Sequence, residues 1–237
     1  HNWHVCNAVF KSGDIGFAET YISGDWSTSD LPALLTLLVR NRQHLSQLIY
    51  GNWLGRLAYR IRHLLNRNTR SNSRKNIHAH YDLGNDFYSL WLDKSMNYSS
   101  ALFEANPQAD LETAQMAKIR RALEMVHLKP GDRLLEIGCG WGALAEMAAV
   151  QFQAHPTGVT LSSEQLAYAR QRMDSLGISA QSDLRLQDYR DINDDAFDAI
   201  CSIEMVEAVG KEYWPVYFQS ISRLLKQGGR ACIQSIV

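Results

Sequence analysis

Residues Leu134–Ala143 decide the fold of this chain; they read Leu-Leu-Glu-Ile-Gly-Cys-Gly-Trp-Gly-Ala. The apolar beginning predicts a buried strand. Three alternating glycines follow, and glycine accepts positive φ and lets another molecule approach the backbone closely. Residues 143–149 then predict a helix, whose free N-terminal amides favour an anion. This strand, loop and helix predict an α/β sheet with a nucleotide-like ligand across the ends of its strands.

The same glycines allow three interpretations. Residues Gly138–Ala143 satisfy the dinucleotide fingerprint, which requires a carboxylate about 20 residues further on to hold a ribose. That region, Pro156–Ser162, has no acidic residue, and the first one after it is Glu164. Glu136, two residues before the first glycine, is typical of S-adenosylmethionine enzymes, where it fixes the loop and the methionine ammonium. The pattern favours a methyltransferase over a dehydrogenase, and over a glycine turn that binds nothing.

The composition limits the class of protein. With 237 residues, 46% of them hydrophobic, the chain is long enough for one substantial core and a second, smaller unit. Its 24 Lys and Arg nearly balance its 25 Asp and Glu. The four cysteines are far apart and form no Cys-x-x-Cys pair, which argues against a disulfide framework or a metal site. A reducing compartment, the cytoplasm, is therefore predicted.

Both termini and the hydropathy pattern bear on targeting. The sequence contains no run of 18 or more apolar residues and no recognisable signal peptide, which argues against a spanning or secreted protein. The chain begins at His1 without a Met and ends at Val237 within an apolar, strand-like run. Both ends are typical of a segment of a longer protein.

The sequence predicts two domains. Residues 1–66 form a small N-terminal domain that includes a helix near 31–42 and ends in a basic amphipathic helix; residues 67–75 form a polar linker. Between Arg56 and Lys75 there are seven basic residues and no acidic one. This basic helix either packs with a solvated charged side or attaches to an anionic bilayer, where each cation contributes about 1 kcal/mol. No nucleic-acid-binding motif accompanies the charge, so nucleic acid is not a predicted partner.

Residues 76–237 alternate between helical and strand patterns, which predicts a doubly wound parallel sheet of the class I, Rossmann-like methyltransferase type. Five strands are expected where this sheet normally has seven, so the C-terminal strands are expected to be missing. The predicted strands are 133–137, 156–160, 185–187, 196–203 and 230–237. The predicted helices are 108–128, 143–149, 163–176 and 213–226.

Three further segments carry a specific resemblance. His80–Tyr88 reads His-Tyr-Asp-Leu-Gly-Asn-Asp-Phe-Tyr and is followed by Met-Asn-Tyr-Ser-Ser at Met96–Ser100. Gly158–Gln165 reads Gly-Val-Thr-Leu-Ser-Ser-Glu-Gln, and Ser202–Gly210 reads Ser-Ile-Glu-Met-Val-Glu-Ala-Val-Gly. In this order and spacing they resemble the cyclopropane-fatty-acyl-phospholipid synthase family. The resemblance implies transfer of a methylene carbon from S-adenosylmethionine to the cis double bond of an unsaturated phospholipid acyl chain, with bicarbonate as the base.

The resemblance also implies which residues hold the cofactor. Gln165 stands where other methyltransferases have an acid, and Asp188 has the alternative interpretation of an ordinary turn aspartate. The full set of implied contacts is Tyr98, Ser99, Glu136, Gly138, Cys139, Gly140, Thr160, Leu161, Gln165, Gln187, Asp188 and Tyr189.

Four residues are the implied catalytic set. Glu207 matches the family's glutamate that hydrogen-bonds bicarbonate, with a helix N-terminal carboxylate as its alternative interpretation. Ser100 stands where several relatives have cysteine, and Ile236 offers a backbone amide. Gln234 stands where those relatives have a bicarbonate-binding histidine, and an amide can donate a hydrogen bond but cannot carry a proton away. Gln234 therefore also fits a subfamily that forms a methyl or methylene branch, or a lipid-binding relative without activity.

The remaining predictions concern metals and partners. His78 and His80 have metal-site spacing, but no further ligand set follows, so no metal is predicted. The predicted partners are unsaturated membrane phospholipids and an anionic membrane surface, at the inner face of a bacterial membrane, with a homodimer as a further option. The other enzyme hypothesis is methylation of a polar small molecule.

Overall fold

The computed structural model describes residues 1–42, 84–103 and 107–236. It divides the chain into two compact units, His1–Asn66 and Arg67–Val237. The predicted basic amphipathic helix and the predicted linker at 67–75 lie outside the described residues.

The first unit contains helix α1 (His4–Ile22) and helix α2 (Leu31–Arg40). Helix α2 lies where the sequence predicts a helix. It begins at Leu31 because Asp30 caps its N-terminus by accepting a hydrogen bond from Ala33 N at 2.9 Å. Helix α1 was not predicted, and it kinks at Gly13, which has a φ of 61°.

Aromatic packing stabilises the turn after α1. The ring of Trp26 stacks on Phe17 with centroids 4.3 Å apart. The indole N–H of Trp26 donates to Thr20 Oγ1 at 3.1 Å. Trp26 therefore packs back onto the last turns of α1.

The second unit alternates helices and strands. Helices α3 (Gly84–Ser89) and α4 (Leu111–Met125) come before the first strand. The elements that follow are β1 (Arg133–Ile137), α5 (Ala143–Val150), β2 (His155–Thr160), α6 (Ser163–Ser175), β3 (Asp183–Leu186), β4 (Phe197–Ile203), α7 (Val206–Val209), α8 (Trp214–Leu224) and β5 (Leu225–Gln234). The predicted parallel α/β sheet is confirmed.

The strands formed by the described residues are all parallel and lie in the order β3-β2-β1-β4-β5. The chain leaves β1 toward β2 and β3 and later returns to the other side of β1 to form β4. Strand order reverses at this point, so a crevice opens outside the carboxyl ends of β1 and β4. In open α/β sheets this crevice is where ligands bind.

Side chains alternate between the two faces of the sheet along β1. Leu134 packs with α4 and α5 residues such as Ile119 and Leu144. Leu135 packs on the opposite face with α8 residues such as Tyr217. Because the strand period is two, Glu136 falls on the same face as Leu134, toward α4.

The start of β5 differs from its prediction. The last strand was predicted to begin at residue 230, whereas β5 begins at Leu225. Phe197 pairs with Leu225 and Ala199 pairs with Arg230, so residues 226–229 bulge out of the ladder. Gly229 lies within this bulge, and a Cβ there would sit 2.8 Å from the carbonyl oxygen of Asp198.

Candidate active site

The glycine loop joins β1 to α5 through three residues of positive φ: Gly138 at 85°, Gly140 at 51° and Gly142 at 87°. The carbonyl of Val159 on β2 accepts the N–H of Gly138 at 3.0 Å, which holds the loop against the next strand. A Cβ on Gly142 would lie 3.0 Å from Ala169 Cβ, whereas one on Gly140 would meet no atom of the described residues within 4 Å. The absence of a side chain at Gly142 therefore allows close packing on Ala169, whereas Gly140 borders open space.

Glu136 is a buried carboxyl, 5% exposed, at the start of this loop. Burial raises its pKa to about 8, although Lys118 and the N–H of Ala145 act in the opposite direction. Among the described residues no group donates to its Oε2 atom. An unsatisfied buried acceptor costs about 1–3 kcal/mol. The carboxyl therefore fits a ligand that brings its own donor, as the ammonium of a methionine group does.

Helix α4 adds two buried polar side chains, Gln115 and Lys118, that the sequence analysis missed. Lys118 Nζ donates to Ser99 Oγ at 2.5 Å, and Gln115 Nε2 donates to the Ser99 carbonyl at 2.7 Å. Burial lowers the pKa of Lys118 to about 8, against the attraction of Glu204 and two further carboxylates. Both lie on the same helix face as buried Ile119. Polar residues on an apolar helical face were the sequence signal for them.

Tyr98 belongs to an aromatic group that reaches the glycine loop. Its ring centroid lies 5.5 Å from Tyr88 and 5.3 Å from Trp91, and Tyr88 in turn lies 5.1 Å from Trp141. The Trp141 indole N–H donates to Asn85 Oδ1 at 2.7 Å. Segment 97–100 is thus connected to the glycine loop through packed rings.

Ser100, Glu204 and Gln234 form one hydrogen-bonded group at the carboxyl ends of β4 and β5. Glu204 Oε1 accepts from Ser100 N at 2.9 Å, from Ser100 Oγ at 2.5 Å and from Gln234 Nε2 at 2.8 Å. Gln234 Nε2 also lies 3.0 Å from Ser100 Oγ. Two of the predicted catalytic residues are therefore in contact. Glu204, which no sequence interpretation assigned to the site, is the centre of the group.

Glu207 and Ile236 form a second pair nearby. Glu207 lies in the four-residue helix α7. It accepts a hydrogen bond from the backbone N–H of Ile236, two residues after the end of β5. The indole N–H of Trp214 donates to the Val206 carbonyl at 3.3 Å and so anchors this short helix. The structure thus brings Glu207 and Ile236, two of the implied bicarbonate contacts, into direct contact with each other, and their catalytic role stays a prediction.

The predicted ribose contacts lie at the end of β2. Thr160 Oγ1 donates to Gln165 Oε1 at 2.9 Å, and both side chains are buried. Ser162 caps helix α6 by accepting from Gln165 N at 3.3 Å, and Leu161 lies between the strand and this cap. The arrangement orients Gln165 from two sides. Contact with a ribose stays a prediction.

The predicted adenine contacts lie after β3. Asp188 accepts from Arg190 Nε at 2.8 Å and pairs with Arg190 Nη2 at 2.5 Å. Gln187 Nε2 donates to the Asp191 carbonyl at 3.0 Å, and the Tyr189 ring packs edge-on against Tyr217 at 5.6 Å. The carboxylate of Asp188 therefore has partners within the chain, as an ordinary turn aspartate would, and its contact with adenine stays a prediction.

Cys139, between two of the loop glycines, is buried, and burial raises the pKa of its thiol. A Cβ on Gly158 would lie 2.9 Å from Cys139 Cβ, so the loop packs tightly on β2. Because its thiol is neutral, Cys139 packs against β2 and offers its backbone to the loop, and it does not act as a nucleophile.

Two further findings concern metals and membranes. His78 and His80 lie outside the described residues. In the described ranges, no cluster of three or more His, Cys, Asp or Glu side chains is placed to hold a metal ion. None of the helices that the structure describes has the length and apolar character needed to cross a bilayer.

A family model described as mycolic acid cyclopropane synthetase matches residues 68–237. The chain is 39% identical to a tuberculostearic acid methyltransferase of Mycobacterium tuberculosis, over 98% of this chain and 55% of that protein. It is 36% identical to the cyclopropane-fatty-acyl-phospholipid synthase of Escherichia coli K12, over 96% of this chain and 57% of that protein. The chain thus spans about half the length of the curated relatives it matches.

Solved structures of cyclopropane synthases also match this chain. The cyclopropane synthase MmaA2 from Mycobacterium tuberculosis matches with a TM-score of 0.65 at 35% identity, over 68% of this chain and 55% of that one. The mycolic acid cyclopropane synthase CmaA1, complexed with SAH and CTAB, matches with a TM-score of 0.62 at 36% identity, over 65% and 53%. The class I methyltransferase fold predicted from the sequence is confirmed.

Proposed function

The chain belongs to the mycolic acid cyclopropane synthetase family, and we propose that the complete protein adds one carbon from S-adenosylmethionine to the cis double bond of an unsaturated phospholipid acyl chain, closing a cyclopropane ring. One arrangement carries the proposal. The unsatisfied Glu136 carboxyl and the open glycine loop lie at the carboxyl end of β1. The Ser100–Glu204–Gln234 group lies at the carboxyl ends of the adjacent β4 and β5.

Residues of this chain would hold the cofactor as follows. Glu136 would receive the methionine ammonium, whose positive charge favours the ionised carboxylate, and the backbone at Gly140 would give the cofactor room to approach. Tyr98, 44% exposed, and its aromatic neighbours cover the site. When bound, S-adenosylmethionine supplies an electrophilic methyl group. The other proposed cofactor contacts are Ser99, Gly138, Cys139, Thr160, Leu161, Gln165, Gln187, Asp188 and Tyr189.

An alkene is a weak nucleophile, so the chain must orient it and exclude water. The aromatic group around Tyr88 and Trp141 is buried and supplies apolar walls. Carbon transfer leaves positive charge on the acyl chain, and a base must then remove a proton from the added carbon. The base that the resemblance implies is bicarbonate, held by Ser100, Gln234, Glu207 and Ile236.

We place the protein at the inner face of a bacterial membrane, as a peripheral protein of the cytoplasm. The supporting observations are the lipid acceptor named for the Escherichia coli relative and the seven basic residues between Arg56 and Lys75. An anionic surface attracts such a basic segment at about 1 kcal/mol per cation. A homodimer is part of the same proposal.

A methyl or methylene branch is the second candidate product. Two points favour it: the relative at 39% identity is named for tuberculostearic acid methylation, and Gln234 stands where the family resemblance implies a histidine. A ring and a methylene have the same mass, so the structure of the product must be determined.

The test uses the complete protein, vesicles of unsaturated phospholipid, and S-adenosylmethionine labelled in its methyl group. Mass spectrometry of the recovered acyl chains should show a gain of one CH₂, and NMR should then separate ring from methylene. Glu207→Gln should reduce the gain by at least about 10-fold, while the exposed Glu124→Gln should not. Labelling of a soluble acceptor, with none in lipid, would contradict the proposal.

A further inference from the structure

We propose that the carboxylate of Glu204 is the base of this reaction, in the position assigned to bicarbonate from the sequence. The inference rests on the proposed acyl-chain chemistry and names the group that takes the proton. It concerns a residue of the chain itself, at the end of β4.

The hydrogen bonds around Glu204 carry the inference. Three donors meet at its Oε1 atom: Ser100 N, Ser100 Oγ and Gln234 Nε2, at 2.9, 2.5 and 2.8 Å. Ser100 and Gln234 are two of the residues that were expected to hold a bicarbonate ion. Their donors are already directed to a carboxylate that the chain supplies. A second anion at the same donors would face the Glu204 charge at close range.

The other carboxylate oxygen is placed differently. The side-chain hydrogen bonds to Glu204 found in the described part of the chain all end at Oε1 and not at Oε2. One oxygen is thus fixed by three donors, while the other keeps its lone pairs available for a proton. A base needs this combination, because the fixed oxygen sets the position and the second oxygen accepts the proton.

The backbone of Glu204 is unusual in the same place. Its φ is 48°, in the left-handed region that non-glycine residues rarely adopt. Its N–H donates to the Gln234 carbonyl at 2.9 Å, which ties the ends of β4 and β5 together. Strained residues of this kind persist where the surrounding structure fixes them, and they concentrate at functional sites.

The charge state of Glu204 suits the role. Partial burial raises its pKa, but hydrogen bonds from Ser100 and Gln234, together with the nearby Lys118 cation, lower it by more, so the net shift is downward. The side chain is therefore ionised at neutral pH. Gln234 is neutral at every pH, so it can hold the carboxylate without competing for the proton.

The step balances as follows. After the methyl group has bonded to one alkene carbon, the neighbouring carbon carries the positive charge. Glu204 Oε2 takes one proton from the added methyl group, and the C–H electron pair forms a new bond to the cationic carbon. This closes the ring, discharges the cation and leaves Glu204 as a carboxylic acid, which returns its proton to water. For a methylene product, a hydride first moves between the two former alkene carbons, and the same electron pair then forms a C=C bond.

The test compares variants of the complete protein in buffer freed of bicarbonate. The wild type should label vesicle lipid at the same rate with and without added bicarbonate. The isosteric Glu204→Gln should lose at least about 100-fold in rate, while Glu124→Gln, an exposed carboxylate on α4, should keep its rate. Glu204→Ala should be inactive but regain part of its rate with added formate or bicarbonate, which can occupy the vacated space.

A binding measurement makes the result independent of turnover. ¹³C-labelled bicarbonate, followed by saturation-transfer NMR, should bind Glu204→Ala and not the wild type, and SAH affinity by calorimetry should stay within threefold in each variant. Bicarbonate binding to the wild type, or a Glu204→Gln rate within threefold of wild type, would overturn the inference and leave the proposed function standing. An absence of lipid product with the wild type would instead defeat the proposed function, and the NMR measurement would still decide whether Glu204 excludes bicarbonate.

Discussion

The Nζ atom of Lys118 lies 2.5 Å from the Oγ atom of Ser99. This contact joins the buried face of α4 to the segment that leads into Ser100. Because Lys118 also attracts Glu136 and Glu204, one buried cation acts on both the proposed cofactor carboxyl and the proposed base. The two halves of the site therefore share an electrostatic partner that is not adjacent to either in sequence.

Lys118→Met should loosen segment 97–100, because a methionine fills the volume of the lysine stem but donates no hydrogen bond to Ser99. A charged hydrogen bond contributes about 1.5–3 kcal/mol. We expect the Kd for SAH to rise about 10-fold or more by calorimetry. Lys129→Gln, at an exposed position after α4, is the control, and equal affinities in the two variants would refute the role of Lys118.

Glu136 should make stability depend on pH. Its pKa is about 8 in the folded protein, against 4.5 as the ordinary value. Between these values the folded state binds more protons than the unfolded state, so the free energy of unfolding falls as pH rises. The wild type should lose on the order of 2 kcal/mol more than Glu136→Gln between pH 5 and 8.

Urea unfolding at several pH values measures this difference. Lys118 contributes little over most of that window, because its folded pKa of about 8, against an ordinary value of 10.5, places its own effect around pH 8 and above. If the free energy of unfolding changes with pH equally for wild type and Glu136→Gln from pH 5 to 8, Glu136 is ionised in the folded protein, which would contradict this prediction.

Two glycines of the loop should separate cofactor binding from folding. Gly140→Ala adds a methyl group to open space, at a φ of 51° that costs about 1 kcal/mol, so the protein should fold and lose affinity for SAH. Gly142→Ala adds the same group 3.0 Å from Ala169 Cβ, so it should lower the melting temperature more strongly. Calorimetry measures the SAH affinity and thermal unfolding measures the melting temperature. If both variants lost affinity and melting temperature to the same extent, the two glycines would not have these separate roles.

Arg172 should hold the segment around residues 94 and 95 against helix α6 and the glycine loop. Its guanidinium donates to the carbonyls of Ser95 at 2.9 Å, Lys94 at 3.0 Å and Trp141 at 3.2 Å. Arg172→Gln should speed amide hydrogen exchange in residues 94–98 by about 10-fold and destabilise the protein by about 1–3 kcal/mol.

Arg170→Gln is the matched control, because Arg170 lies on the same helix and donates to the Leu184 carbonyl at 2.7 Å. It should destabilise β3 without changing exchange at 94–98. If both variants speed exchange at 94–98 equally, the effect comes from α6 as a whole and not from the Arg172 contacts.

The glycine loop and the strands around it could be predicted from the sequence because their causes are local. An apolar run next to residues that accept positive φ specifies β1 and its turn without any distant contact. The boundaries of β1 agree, and those of α2 and α6 agree to within two residues, since capping residues and apolar periodicity fix them. Helix α1 was missed because its kink at Gly13 interrupts the period.

The site required the tertiary structure. Gln234 and Ser100 are 134 residues apart, and their contact arises only because β5 pairs with β4 at one end of a shared sheet. Glu204 is an ordinary glutamate in the sequence, and only its left-handed backbone and three donors distinguish it. Lys118 was hidden for the same reason, because burial is a property of the packed helix face. The sequence by itself determined the sheet, the loop and the family, which follow from local pattern, while hydrogen-bond partners and pKa values depend on neighbours that only folding brings together.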